Sequence, residues 1–295
     1  MNLDKYTKSP LTYMGGKYSL LNFVIPKFPK ECVIFIDLFG GSGVVLENYN
    51  NSKLYLYNEK DKNIFEIMKW LFKNSYENII SDLNEIQNKY NLLQTLDHEN
   101  QKKNYLILRN DYNEGNKTPQ MLYMLSRCSI NNLIRFNSSG GFNTSFGKIG
   151  YSKNTIKMIK EFKDKISNKS IGIDNIDYEE YLVYIYDYSK PKDFFIYIDP
   201  PYLGTDTEYN KKWLDEDDIK LFNHLDKLNE LNCKWALSNV IIHNGIEHKT
   251  LNNWIEQNKN KYNVYTKEKE YSPFFTKNQG KSSIEVLITN YKEVE

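Results

Sequence analysis

A chain of 295 residues, 40% apolar and 26% charged, is long enough for a full-size core with one inserted module and short for a catalytic domain fused to a nuclease. With 39 basic and 38 acidic residues the net charge is +1, so the chain has no overall positive field and any nucleic-acid contact must come from local patches. Cys32, Cys128 and Cys233 are isolated and odd in number, which argues against a disulfide framework and a zinc site and fits a reducing cytoplasm, while neither the start Met1-Asn2-Leu3-Asp4-Lys5 nor any later apolar run suits secretion or a bilayer span.

In chain order, the first strand is predicted at Val33–Leu38, an apolar run that ends in an acid and passes into Phe39-Gly40-Gly41-Ser42-Gly43. Glycines there let the backbone approach a ligand closely. The pattern is not the dinucleotide fingerprint, because no glycine follows Gly43 three residues on, and no lysine and hydroxyl follow to grip a phosphate. An apolar stretch from Val44 to Tyr49 opens a helix. The next run, Leu54 to Tyr57, leads to Glu59, an acid placed about 20 residues on, as nucleoside-binding α/β folds require for ribose hydroxyls.

Helical spacing follows in Ile64, Ile67, Met68, Leu71 and Phe72 and continues through Ile79, Ile80, Leu83 and Ile86. From about 74 to 170 the sequence is rich in Asn, Lys and Tyr without a long strand-like run, which predicts a mainly helical insertion. Inside it, Asn137-Ser138-Ser139-Gly140-Gly141 is a turn cluster between aromatic-bearing flanks, predicting a hairpin near 135–147. Lys148, Lys153, Lys157, Lys160, Lys163 and Lys165 form a basic stretch able to meet phosphates, or a solvated helix face.

Strands resume at Phe194–Ile198, and Asp199-Pro200-Pro201-Tyr202 ends the first of them in a rigid, extended turn. The residue before a proline is pushed out of the helical region and each proline lacks an N–H, so the carboxylate and the Pro200 carbonyl are left to a cleft. With the Tyr202 ring, the turn offers two acceptors and a stacking face, which suits an exocyclic amino group on a flat heterocycle. A helix is predicted at Asp215–Leu231, its acidic start Asp215-Glu216-Asp217-Asp218 suiting the positive end of the dipole, and strands at Lys234–Ser238, Tyr262–Thr266 and Ser283–Asn290. This order implies a largely parallel sheet, closed by an antiparallel pair after residue 260.

Four stretches in order, Tyr13-Met14-Gly15-Gly16-Lys17, Asp37 to Gly43, Arg135-Phe136-Asn137 with Phe142 to Gly147, and Asp199 to Tyr202, make the chain resemble the Dam-type adenine-N6 DNA methyltransferases of the D12 class, alpha group. The resemblance implies an α/β, Rossmann-like S-adenosylmethionine-dependent sheet over 1–73 and 171–295 with a target-recognition domain over 74–170. It implies methyl transfer to the N6 amino group of a flipped-out adenine in duplex DNA, with GATC or a related short site as the target. Cytosine-N4 methylation, RNA methylation and a non-catalytic DNA-binding module of the same fold stand as alternatives.

By the same resemblance Asp199, Pro200, Pro201 and Tyr202 are catalytic, and S-adenosylmethionine spans Tyr13, Gly16, Lys17, Asp37, Phe39, Gly40, Gly41, Ser42, Gly43, Glu59, Asp177 and Asp199. Asp37 and Asp199 suit the ammonium end, Lys17 the carboxylate or the ordering of the acids, Glu59 the ribose and Asp177 the adenine amino group. Arg135 is the candidate reader of a guanine edge, with Asn131, Asn137 and Lys148 as further DNA contacts and no metal required. A cytoplasmic monomer in a bacterial or phage-infected cell, with or without a separate restriction endonuclease, completes the expectation. Departures from the pattern are Glu59, where relatives commonly have Asp, Thr144-Ser145, where many GATC-methylating relatives carry Val-Pro, and Ile149, near whose position those relatives carry an aromatic residue.

Overall fold

Alternating side-chain directions on nearly continuous apolar strands require cover on both faces, and the chain supplies it. The computed structural model describes residues 5–13, 15–188, 190–202, 213–243, 245–269 and 283–292. Met14 and the start Met1 to Asp4 lie outside the described residues. Among the described residues eight strands form one sheet: β1 (Cys32–Asp37), β2 (Ser52–Asn58), β3 (Ile171–Asp174), β4 (Phe194–Ile198), β5 (Lys234–His243), β6 (Ile246–Glu247), β7 (Asn263–Lys269) and β8 (Ser283–Thr289). Their order is β3-β2-β1-β4-β5-β8-β7, with β6 paired to β5 off this path. The first five run parallel and β8 is antiparallel to both its neighbours, so the expected parallel sheet with a late antiparallel pair forms.

The helices are α1 (Leu21–Val24), α2 (Val44–Asn48), α3 (Lys62–Lys73), α4 (Tyr76–Lys89), α5 (His98–Asn113), α6 (Pro119–Cys128), α7 (Lys153–Ile166), α8 (Tyr178–Tyr186), α9 (Asp215–Glu230) and α10 (Lys249–Gln257). Phe35, Tyr55, Tyr57, Phe195 and Tyr197 point to one face, where α2, α3 and the helices of the 74–170 segment share a single apolar cluster with them. Ile36, Ile196, Ile198, Trp235 and Leu237 point to the other, under α8, α9 and α10. This is a Rossmann-like, doubly wound α/β fold. Among the described residues no helix is long and apolar enough to cross a membrane.

The sequence reading passes over α1, β3, β6, α8 and α10. Every residue of β3 is half-buried and Gly172 interrupts it, so neither alternation nor an apolar run marks it. Helix α8 did carry a signal: Tyr178, Tyr181, Leu182 and Ile185 are its buried stripe, spaced i, i+3, i+4, i+7. The expected hairpin is present without continuous strands, as the antiparallel bridges Phe136 to Phe142 and Ser129 to Phe146.

The strand order reverses between β1 and β4, and the ends of these two strands carry Asp37 and Asp199. Ligands of open α/β sheets bind at such a reversal, outside the carboxyl ends of the strands. The turn after β1 fits there because Gly40 has no side chain: a Cβ would stand 2.2 Å from Cε2 of the buried Tyr57 ring. Gly40→Ala is therefore expected to destabilise the fold by about 1–3 kcal/mol, as overpacking does in a closed core. Urea unfolding measures it, and an unchanged midpoint would show that the ring has room to yield.

Candidate active site

Two turns meet at the reversal, and backbone hydrogen bonds fix the first. Leu38 N–H donates to Tyr197 O at 3.0 Å, Gly40 N–H to Asn58 O at 2.8 Å and Gly43 N–H to Gly40 O at 2.7 Å. Gly41 and Gly43 have φ of 50° and 69°, left-handed values that favour glycine. Glu59 braces the turn from β2: its Oε2 accepts Gly41 N–H at 2.9 Å and its Oε1 accepts Asp61 N–H at 2.7 Å. Burial pushes the Glu59 carboxyl up to about 7 against the pull of these N–H groups. The Tyr57 hydroxyl donates to Gly41 O at 2.6 Å, and Ser9 Oγ to Ser42 O at 2.6 Å. The Tyr13 ring lies over Gly41, 3.3 Å from where a Cβ would stand.

The second turn carries Asp199. Its Oδ2 lies 2.7 Å from Lys17 Nζ, and the Lys17 side chain is only 5% exposed. Lys17 also donates to Gly15 O at 3.1 Å, and its ammonium sits 4.7 Å from the centre of the Tyr202 ring. The Tyr202 hydroxyl donates to Asp199 Oδ1 at 3.1 Å. Burial raises the Asp199 carboxyl above its ordinary value while Lys17 pulls it back. Asp37 is buried and held well above the usual range, first by desolvation and then by the charge of Asp199.

Asp37 and Glu59 are buried and Asp199 is half-buried, close enough for the charges of the other two to act on Asp37, whose Oδ2 is buried without a hydrogen-bond partner among the described residues. An unpartnered carboxylate oxygen beside a close-approach glycine turn fits a ligand with a cationic or N–H donor end. Phe39 adds an apolar wall, packed 5.3 Å from Tyr178 and 5.9 Å from Trp213 between ring centres. The residues present thus suit an amino-acid-bearing nucleoside.

Asp177 lies beside this wall but already has partners. It caps α8, accepting Glu179 N–H at 2.9 Å, and its other oxygen pairs with Lys60 at 2.5 Å. Asn58 is a site residue that the sequence reading missed: Nδ2 donates to Leu38 O and Ile176 O, both at 3.1 Å, tying the ends of β1 and β2 to the loop before α8. A polar residue closing an apolar strand was the available signal. Glu285 of β8, also missed, is 5% exposed with Oε2 3.4 Å from the Tyr202 hydroxyl.

On the hairpin, Arg135 is exposed and its Nε donates to Asn143 Oδ1 at 3.1 Å. Asn137 builds the turn, its Oδ1 accepting Ser139 N–H at 3.1 Å and Gly141 N–H at 2.8 Å. Asn131 has a φ of 54° and, like Lys148, is exposed. Part of the basic stretch serves the fold: Lys163 donates to the Leu71 and Phe72 carbonyls at the end of α3, while Lys157 and Lys160 pair with Glu161 and Asp164.

A family model described as D12 class N6 adenine-specific DNA methyltransferase matches residues 13–272. The modification methylase StsI of Streptococcus sanguinis is 33% identical, covering 98% of this chain and 43% of that protein. The Type II methyltransferase M.FokI of Planomicrobium okeanokoites is 32% identical over the same shares, 98% and 43%. The DNA adenine methylase of Vibrio cholerae is 25% identical over 70% of this chain and 69% of its own length. The chain thus spans less than half the length of the first two relatives.

The Lys17–Asp199 pair gives a test independent of any ligand. Asp199 has a raised folded pKa even beside Lys17, so its charged form opposes folding increasingly as pH rises; removing Lys17 widens that gap. Lys17→Met is expected to lose about 3–5 kcal/mol near pH 8, the usual result of orphaning a buried charge, and clearly less near pH 5, where Asp199 is more protonated. Urea titrations at both pH values measure this, and equal losses would show that Lys17 does not stabilise the Asp199 charge.

Proposed function

The chain belongs to the D12 class N6 adenine-specific DNA methyltransferases, and from that premise we propose that it transfers a methyl group from S-adenosylmethionine to the N6 amino group of adenine in duplex DNA. The observation that supports this best is Asp199, set at the strand reversal with one oxygen held by Lys17 and the other turned to Tyr202. S-adenosylmethionine supplies, when bound, a methyl group on a sulfonium. The Asp37 carboxylate and the Gly40-Gly41 backbone would hold its amino-acid end, Glu59 its ribose, and Phe39, Asp177 and Tyr178 its adenine. Glu59 and Asp177 would share oxygens that already accept hydrogen bonds within the chain.

The N6 nitrogen of adenine is a poor nucleophile because its lone pair is delocalised into the ring. Asp199 and the Pro200 carbonyl accept its two hydrogens, which draws the nitrogen toward tetrahedral geometry and localises the lone pair. Lys17 fixes the carboxylate so that this acceptor is in place before the base arrives, which is positioning and electrostatic work. An amino group inside a duplex cannot reach a buried acid, so the adenine is extruded, and the Tyr202 ring stacking on it offsets part of the unstacking cost.

In this reading residues 74–170 recognise the target and 1–73 with 171–295 perform the chemistry. Arg135, exposed on the hairpin, reads a guanine next to the adenine in GATC or a related short site, while Asn131, Asn137 and Lys148 serve the backbone. The enzyme works as a single copy in the cytoplasm, and the modification-methylase names of its relatives favour a role beside a separate restriction endonuclease.

Two measurements test this. Labelled methyl from S-adenosylmethionine should be recovered from duplex DNA as N6-methyladenine, and Asp199→Ala, still folded, should lower the rate by about a hundredfold or more. Label found only in cytosine, or a folded Asp199→Ala enzyme of near-normal rate, would sink the mechanism. For recognition, Arg135→Ala should remove about 1–3 kcal/mol of discrimination at one guanine, whereas Lys148→Ala should weaken all sequences alike. Titrations against single-substituted duplexes at fixed salt decide between them, and a uniform loss for Arg135→Ala would make it a backbone contact.

A further inference from the structure

The reaction proposed above leaves unused a buried acid that touches its own residues. Glu285 lies in β8 within the apolar run that continues through Val286, Leu287 and Ile288, and it faces Val240 of β5 and Lys267 of β7 across the ladder. Burying a carboxylate among apolar side chains costs free energy unless a donor meets it. The Tyr202 hydroxyl is such a donor, 3.4 Å from Glu285 Oε2 and 3.1 Å from Asp199 Oδ1. A phenol has one proton to give, and here two carboxylates stand within its reach. The nearer one is the oxygen that the target amino group needs, because Lys17 occupies Asp199 Oδ2 at 2.7 Å.

We propose that Glu285 is a positioning residue for the methyl transfer: it receives the Tyr202 hydroxyl when the target amino group takes over Asp199 Oδ1. With the base absent, the hydroxyl holds Oδ1 in orientation. With the base present, an N–H of the target replaces the phenol, which turns to Glu285. The exchange keeps the phenol proton on a carboxylate in both states. It also keeps the Tyr202 ring tethered at its hydroxyl end, where it is to stack on the base. This inference rests on the adenine-methylating reading and adds to it a residue 83 positions from Tyr202 in the chain.

The test is a double-mutant cycle between Glu285 and Tyr202, read as the single-turnover methylation rate on duplex DNA and as equilibrium binding of S-adenosylhomocysteine. Glu285→Leu should lower the rate about tenfold, as loss of one hydrogen bond to a charged group does. Binding should stay within about twofold, since the contact acts on the phenol and not on the cofactor. Glu285→Gln, whose amide oxygen still accepts, should recover most of the rate. In a Tyr202→Phe background Glu285→Leu should have no further effect, because there is no hydroxyl left to receive. An undiminished loss in that background, or a loss of S-adenosylhomocysteine binding matching the loss of rate, would overturn the proposal. If Glu285→Leu does not fold, Glu285→Asp withdraws the acceptor by one methylene and enters the same cycle with the same expectations. A wild-type chain that binds S-adenosylhomocysteine but places no methyl on adenine overturns the parent reading instead, so the two failures are told apart.

Discussion

A buried ammonium among buried and half-buried acids is the constraint around which the carboxyl end of the sheet is arranged. Parallel strands deliver their carboxyl ends to one edge, and in this chain those ends carry Asp37, Glu59 and Asp199, with Glu285 arriving from the antiparallel strand. Left to themselves, such charges repel and lose solvation, so they would protonate. Lys17 is placed to stop that for one of them. Its contact with Asp199 and its hydrogen bond to Gly15 O fix the loop before α1 onto the end of β4, so the N-terminal segment becomes part of a site built from the middle of the chain. Asp37 has no such partner and is the more strongly shifted acid. The arrangement is thus incomplete in charge, and a cationic ligand end beside Asp37 would supply what Lys17 does not.

Hydroxyl-bearing rings extend this order outward from the core. The chain has 24 tyrosines, and several are buried with the hydroxyl reaching a loop carbonyl. Tyr57 reaches Gly41 O at 2.6 Å, Tyr49 reaches Pro29 O at 2.8 Å, Tyr105 reaches Thr144 O at 2.7 Å and Tyr123 reaches Pro10 O at 3.1 Å. In each case the ring is packed in the apolar cluster on one face of the sheet while its polar tip holds a turn. The turns so held include the glycine turn and the segment that returns from the hairpin. A phenylalanine core of equal size would leave those carbonyls to water and the turns to their own flexibility.

What could be read from the sequence was what local covalent chemistry dictates. Two prolines after an acid, and glycines after an apolar run, constrain the backbone wherever they occur, so the turns at Asp199 and Gly40 were legible with no knowledge of the fold. The apolar strands β1, β4, β5 and β8 were legible for the same reason. Glu285 was not, because its meaning depends on which residue of β8 stands opposite Val240, and register is a property of the assembled sheet. Asn58 was legible only as a polar residue closing an apolar strand, while its bonds join three segments far apart in sequence. The lysines at 157, 160 and 163 read as one basic face, yet two pair with acids one helical turn on, a local i,i+4 spacing, and only the role of Lys163 in closing α3 is set by tertiary packing.

The hairpin shows how little regular structure a projecting arm requires if its inner side is anchored. Phe142 is buried, with its ring 6.3 Å from Tyr112 and 5.8 Å from Phe136, and Asn113 of α5 bonds its backbone twice, at 3.0 Å to the carbonyl and 2.8 Å to the N–H. Asn137 then closes the turn with its own side chain. A ladder of strand pairs would add rigidity along the arm, but these contacts already fix the flank opposite Arg135, and Asn143 steadies the guanidinium at Nε. An arm proposed to discriminate between base edges needs its donor fork placed to within a hydrogen bond and its outer surface left open. Anchoring by one buried ring and one asparagine meets both demands, and it couples the arm to α5 and thereby to the same apolar cluster that supports the glycine turn.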